Sequence, residues 1–199
     1  MVLNMLRKQF VTLVLVLSSF GALAAEESSS TVSYTLTRQY GSVFFRVMQQ
    51  SYLNLVGRFD DYSATLEMDF EDLTNSRLTA TVQMGSLDMA DGDVVETLVN
   101  SSAWFNAQLY PEAIFTTTQV EVTGDNSADF HGEMNFVGAT KPWTLHVEFF
   151  GGTDNVLTGS TIGMLAKGSF DRTDFGLDQY MNMANELVSI EVNAKFNRN

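Results

Sequence analysis

Phe130-His131-Gly132-Glu133-Met134-Asn135-Phe136 alternates, residue by residue, between an apolar or small side chain and a polar one. Successive side chains on a pleated strand point to opposite sides, so Phe130, Gly132, Met134 and Phe136 share one face and His131, Glu133 and Asn135 the other. The same period of two predicts strands over 33–38, 42–49, 52–59, 63–70, 77–84, 113–123, 129–136, 143–150, 163–170 and 187–196. Turn-forming clusters fall at 71–76, 124–127 and 151–155. When nearly every strand has one apolar face, those faces must close on each other, so the fold class is all-β, a sandwich or a barrel.

The polar face decides which kind of barrel. It carries Arg46, Glu67, Asp69, Glu133, Glu148, Lys167, Glu191 and Lys195 at strand centres. A lipid-facing wall pays about 2–4 kcal/mol for each Arg or Lys at its midplane, and most of these strands are shorter than the ~9–11 residues a membrane strand needs. The charges therefore face water and the apolar side faces in. One segment departs from the pattern. Between Asp93 and Phe105, Val94, Val95, Leu98, Val99 and Trp104 recur at helical spacing, and Asp93 with Glu96 has the form of a capping box. A short helix crossing one end of the barrel is expected there, as a plug or as a lid.

The beginning of the chain reads as an export signal. Arg7 and Lys8 precede an apolar run from Phe10 to Leu17, and Ala22-Leu23-Ala24 has the small-x-small form of a cleavage site. The run is shorter than the ~20 residues that cross a bilayer, which argues against an uncleaved anchor. The expected organisation is a signal peptide over 1–24, a polar leader over 25–32 and one domain over 33–199, with a periplasmic location. Arg7 and Lys8 are the only charges in 1–24, so cleavage takes the net charge from −13 to −15. That acidity, with no basic patch, excludes nucleic acid as a partner. The chain has no cysteine, so stability comes from the core alone.

Inward parity collects Phe45, Val47, Leu66, Met68, Phe70, Leu78, Val82, Met84, Phe115, Phe130, Met134, Phe136, Leu145, Val147, Met164, Phe170, Val188, Ile190 and Val192. Small residues interleave with them: Gly57, Ala64, Ala80, Gly132, Ala166, Gly168 and Ala194. These either relieve crowding at bends or leave a cavity, and periodicity alone does not choose. Any occupant of such an interior would be long, flexible and apolar, because the inward set holds no histidine and no cluster of charges. Catalysis finds no support. His131 and His146 fall on the outward parity, and no nucleophile elbow, metal motif or phosphate loop is present. Asp171 and Asp174, which flank Arg172, read as a local turn network.

The order Phe45-x-Val47, Val56-Gly57-Arg58-Phe59, Ser86-Leu87-Asp88, Trp104-Phe105-Asn106 and Tyr110-Pro111 resembles the YceI-like family. So do Phe115, Gly132-x-Met134-x-Phe136-x-Gly138-x-Thr140-Lys141-Pro142 and Phe170-Asp171-Arg172-Thr173-Asp174-Phe175-Gly176-Leu177. The likeness spans about 33–196. It implies an extended lipocalin-like antiparallel β-barrel with one short helix near an end, exported to the periplasm and enclosing an isoprenoid lipid. An isoprenoid quinone and a polyprenyl phosphate are the two cargo classes it implies, and no other cofactor or metal is expected. On this resemblance the lipid-binding set is Phe45, Val47, Leu66, Met68, Ala80, Val82, Met84, Phe115, Gly132, Met134, Phe136, Leu145, Val147, Met164, Phe170 and Phe175.

The chain departs from the family where a head group would sit. Members commonly carry His where this chain has Gln49, and Arg-Asp-x-His-Leu where it reads Val95-Glu96-Thr97-Leu98-Val99. Arg172 and Lys141 remain as basic head-group candidates, with turn stabilisation as their alternative role. The leading expectation is a non-catalytic carrier or reservoir for an isoprenoid lipid, with a neutral head favoured by the acidity of the chain. The competing expectation is a stress-response or structural interaction protein whose barrel is filled by its own side chains. A membrane redox protein and a second copy of the chain, as a homodimer, are the protein partners left open.

Overall fold

The computed structural model describes residues 31–50, 52–151, 159–180 and 184–199. The expected signal peptide, most of the polar leader and most of the 151–155 turn lie outside these residues. The described chain forms one antiparallel sheet of β1 (Val32–Leu36), β2 (Ser42–Gln49), β3 (Leu53–Phe59), β4 (Tyr62–Met68), β5 (Arg77–Gln83), β6 (Leu87–Asp88), β7 (Glu112–Val122), β8 (Ser127–Phe136), β9 (Ala139–Gly151), β10 (Thr161–Asp171) and β11 (Leu187–Arg198). Eight of these, in the order β1-β4-β5-β7-β8-β9-β10-β11, close on themselves through the β1–β11 pairing. The remaining three, β2-β3-β6, leave the barrel from the other part of β11.

That second ribbon makes the barrel extended. β11 pairs with β1 at Phe196–Arg198 and with β2 at Val188–Asn193, so β1 and β2 follow one another along the same neighbour. A single turn of 3₁₀ helix at Arg38–Tyr40 separates them. β4 takes β1 as its partner while β3 takes β2, and the tight turn between Phe59 and Tyr62 passes the chain from one ring to the next. β6 holds only two residues on β3, at Arg58↔Asp88 and Phe59↔Leu87. Among the described residues, no strand pairs with the rest of β3, 53–57, on that side.

The chain runs on from β6 into α1 (Gly92–Asn100), which packs beside that strand. Asp91 caps it, accepting from the Asp93 and Val94 amides. This corrects the expected capping box: Asp93 already lies inside the helix, and Glu96 has no cap to complete. The helix also stops short of Phe105. Asn100, Ser101 and Ser102 are weak helix formers, and the chain folds back so that the Phe105 and Ala107 amides donate to the Leu98 and Val99 carbonyls.

Apolar side chains point inward and charged ones outward on nearly every strand. Tyr62, Ala64, Leu66 and Met68 on β4 are buried while Ser63, Thr65 and Glu67 between them are exposed. One expected surface charge is not on the surface. β4 ends at Met68, and the Asp69 carboxylate turns under the following loop, where it accepts from the Glu71 and Asp72 amides and from Asn75. An acidic side chain that satisfies several amides of a tight connection is worth burying.

The interior falls into two clusters. One, around Tyr34, Leu66, Phe130, Val147 and Ile162, is fully packed, with Leu66 and Val147 both at 0% exposure. The other, around Val43, Phe45, Phe59, Met134, Phe136 and Phe175, surrounds open space.

Candidate functional site

A cavity of about 1010 Å³ occupies the second half of the barrel. Its walls are the inward faces of β2, β3, β4, β5, β7, β8, β9, β10 and β11, and α1 borders it through Val94 and Leu98, followed by Trp104 and Phe105. Exposed Leu53, Val56 and Tyr180 belong to the lining, so the cavity reaches solvent between the free edge of β3 and α1. Its size is at the top of the range for small-molecule sites, about 300–1,000 Å³. Apolar carbon dominates the wall.

Of the side chains expected to form the site, Phe45, Val47, Ala80, Val82, Met84, Phe115, Met134, Phe136, Leu145, Met164 and Phe170 line this cavity. Leu66, Met68 and Val147 keep the inward parity but lie in the packed half, away from it. Phe175 is buried in the second cluster, edge-on to Phe136 and Phe170 at 5.4 and 5.3 Å, and stands behind the lining rings. Gly132 does not open space. A Cβ there would lie 2.3 Å from the Thr116 carbonyl oxygen and 2.8 Å from the Phe115 ring. Gly57 and Gly168 likewise sit under the Phe45 ring and the Trp143 indole, whereas Ala64, Ala80 and Ala166 border the void. The glycines are contact points and the alanines provide the room.

Arg172 is buried and borders the cavity mouth. Its Nε donates to the Asn185 carbonyl, Nη1 to those of Leu177 and Gln179, and Nη2 to that of Ala184. Trp104 lies 5.3 Å from the guanidinium carbon and stacks in turn on Tyr180. Burial pushes the guanidinium downward from its ordinary value, and Asp171, Glu186 and Asp178 oppose the shift. The side chain thus ties the segment after β10 to the mouth, with its donors directed at backbone. Lys141 is half-buried opposite Met134 near the start of β9 and does not border the cavity.

Most of the polar groups that border it lie at the mouth, with Ser63 and Thr81 on β4 and β5 apart from them. Gln49, Asn54, Asp91, Asp93, Thr97 and Ser101 are there, on the β2–β3 hairpin and on α1. Gln49 is the position where family members commonly carry His. Both histidines lie outside: His131 contacts Thr144 at 2.9 Å and Glu121 at 3.5 Å, and His146 pairs with Asp129 at 2.7 Å. Among the described residues, no group of three or more His, Cys, Asp and Glu is placed to hold a metal ion.

Several lining residues were not singled out from the sequence. Val43, Leu55, Phe59 and Trp143 all border the cavity, as do Val188, Ile190 and Val192, which inward parity did place but which were not among the expected lipid-binding set. Parity with Phe45, Gly57 and Leu145 would have found Val43, Leu55, Phe59 and Trp143. What parity could not show is which half of each strand meets open space.

A YceI-like domain model matches residues 29–196, and the chain belongs to that family. Protein YceI of Salmonella newport (strain SL254) is 28% identical over 157 residues, covering 79% of this chain and 81% of its own. A UPF0312 protein of Shewanella baltica (strain OS185), Shew185_3055, is 25% identical over 173 residues, covering 86% and 90%. Among solved structures, Burkholderia cenocepacia BcnA superimposes with a TM-score of 0.72 at 18% identity, over 80% of this chain and 98% of that one. A polyisoprenoid binding domain from Saccharophagus degradans, implicated in plant cell wall breakdown, gives 0.64 at 13% identity, over 84% and 99%. The shared fold is the lipocalin-like barrel.

Proposed function

We propose that this YceI-like protein is a non-catalytic periplasmic carrier or reservoir for an isoprenoid lipid, exported by the signal peptide over 1–24. The prenyl chain lies in the hollow half of the barrel and the head group sits at the mouth beside α1. The observation that carries this reading is the cavity of about 1010 Å³ with its apolar wall. Each buried methylene contributes about 0.8 kcal/mol, so a chain of several five-carbon units binds by burial alone. Family membership and the fold shared with a polyisoprenoid binding domain support the same cargo. A barrel filled by its own side chains would leave no such space.

The head is uncharged. Asp91 and Asp93 stand at the mouth, and the cation that borders the cavity there, Arg172, directs its donors to backbone carbonyls. An anionic phosphate would meet two carboxylates at that rim, whereas a quinone-type ring can accept from Gln49 or Asn54. Lys141 is too far up β9 to offset this. The test is extraction of lipid from protein purified without detergent from its own host, followed by mass spectrometry. A prenyl lipid with an uncharged head is expected. A phosphate-bearing lipid would overturn the head assignment, and protein free of lipid would overturn the carrier reading.

A further inference from the structure

The barrel wall has a seam between β9 and β10. β9 and β10 pair from Ile162↔Gly151 to Lys167↔His146 and then stop, although both strands continue. Carrying the register on would bring Thr144 opposite Ser169 and Pro142 opposite Asp171, and Pro142 has no N–H to offer a ladder. Each lip stays rigid, because β9 remains paired with β8 as far as Ala139 and β10 with β11 as far as Asp171. The opening is in the hollow half.

One side chain fills it. Trp143 borders the cavity on its inner side and an outer groove, with Thr118, Gly132, Thr144 and Ser169, on the other. Its Nε1 donates to the Ser169 carbonyl at 2.9 Å, so the indole replaces the missing ladder with a single bond. Phe115 and Phe170 meet the ring edge-on at 5.5 and 6.1 Å from inside. Gly168 makes room for it: a Cβ there would lie 2.7 Å from Trp143 Cζ2. Opening the seam costs that one hydrogen bond and the ring contacts, and no ladder bond.

We propose that this seam is a second opening of the cavity, gated by Trp143, through which the far, wholly apolar end of a bound chain passes. The identity of that chain rests on the carrier reading; the opening itself does not. The cargo-independent test uses N-phenyl-1-naphthylamine, a neutral dye that brightens on apolar burial, and its entry rate by stopped-flow fluorescence. Losing the indole's bond and contacts in Trp143→Ala should speed entry about tenfold. Gly168→Ala, which displaces the ring, should act in the same direction. The pair Thr144→Cys and Ser169→Cys, in a chain with no other cysteine, should slow entry when oxidised relative to its own reduced form. That comparison stands on one folded protein even where the alanine variant does not fold. Equal rates in the oxidised and reduced pair and in the folded single variants would overturn the second opening. Wild-type protein without isoprenoid would overturn the carrier reading and leave these dye rates intact.

Discussion

Along β4, Leu66 and Met68 are sealed inside the packed half of the barrel, while Tyr62 and Ala64 on the same face look onto the cavity. β8 repeats the contrast, with Phe130 packed away from the cavity and Met134 and Phe136 on its wall. The residue alternation is identical in both halves. What differs is the ring around them: eight strands close the packed half, and eight is a number that side chains can fill. In the hollow half β2, β3 and β6 diverge, α1 borders the cavity, and Ala64, Ala80 and Ala166 face the widened space. Retention of cargo and retention of fold are thereby assigned to different ends of the same strands.

Substitutions should separate the two ends. Phe130→Ala empties a fully packed site away from the cavity and should cost about 3–5 kcal/mol in urea unfolding, with lipid content per folded molecule unchanged. Arg172→Met strips donors from the carbonyls of Leu177, Gln179, Ala184 and Asn185. It should cost about 2–4 kcal/mol by the same measurement, since unpaired buried carbonyls are expensive. Ile190→Ala should cost only about 1 kcal/mol, because part of that side chain already borders a void. An equal loss at 190 and 130 would mean that the two halves are packed alike.

Titration offers a smaller contrast. Burial pushes the Tyr34 and Tyr62 phenols up, against opposing charge from Arg198 and Arg38 respectively. The unfolded chain therefore gives up these protons first. Their contribution is intact below the ordinary phenol value of about 10 and is lost as pH rises from there toward the raised value. Urea midpoints measured across that alkaline range should fall, and Tyr34→Phe should flatten the fall. An unchanged slope would place the alkaline loss elsewhere.

Fold and face were legible because the alternation in 130–136 and its repeats depends only on the pleat. The helix was legible from Val94, Leu98 and Val99, but its cap was misplaced because Asp91 lies outside the periodic apolar run. Asp69 was read as a surface charge because nothing in a strand pattern reveals where a strand ends and a loop folds beneath it. The site was legible as a list of inward residues and not as a volume. Leu66, Met68 and Val147 share parity with Met164 and Phe45, and only the divergence of β2–β3–β6 from the closed ring separates them. Glycine and alanine looked equivalent in the sequence, yet Gly132 and Gly168 are occupied by a neighbouring carbonyl and an indole, and Ala80 is not.

The measurement closest to the central claim is native mass spectrometry of wild type and Ala80→Trp, both exported and purified from the protein's own host. Wild type should carry one prenyl lipid adduct, and the variant, folded by circular dichroism, should carry none because the indole takes up the hollow half. Equal adducts on both proteins, or none on wild type, would contradict the assignment of the cargo to this cavity.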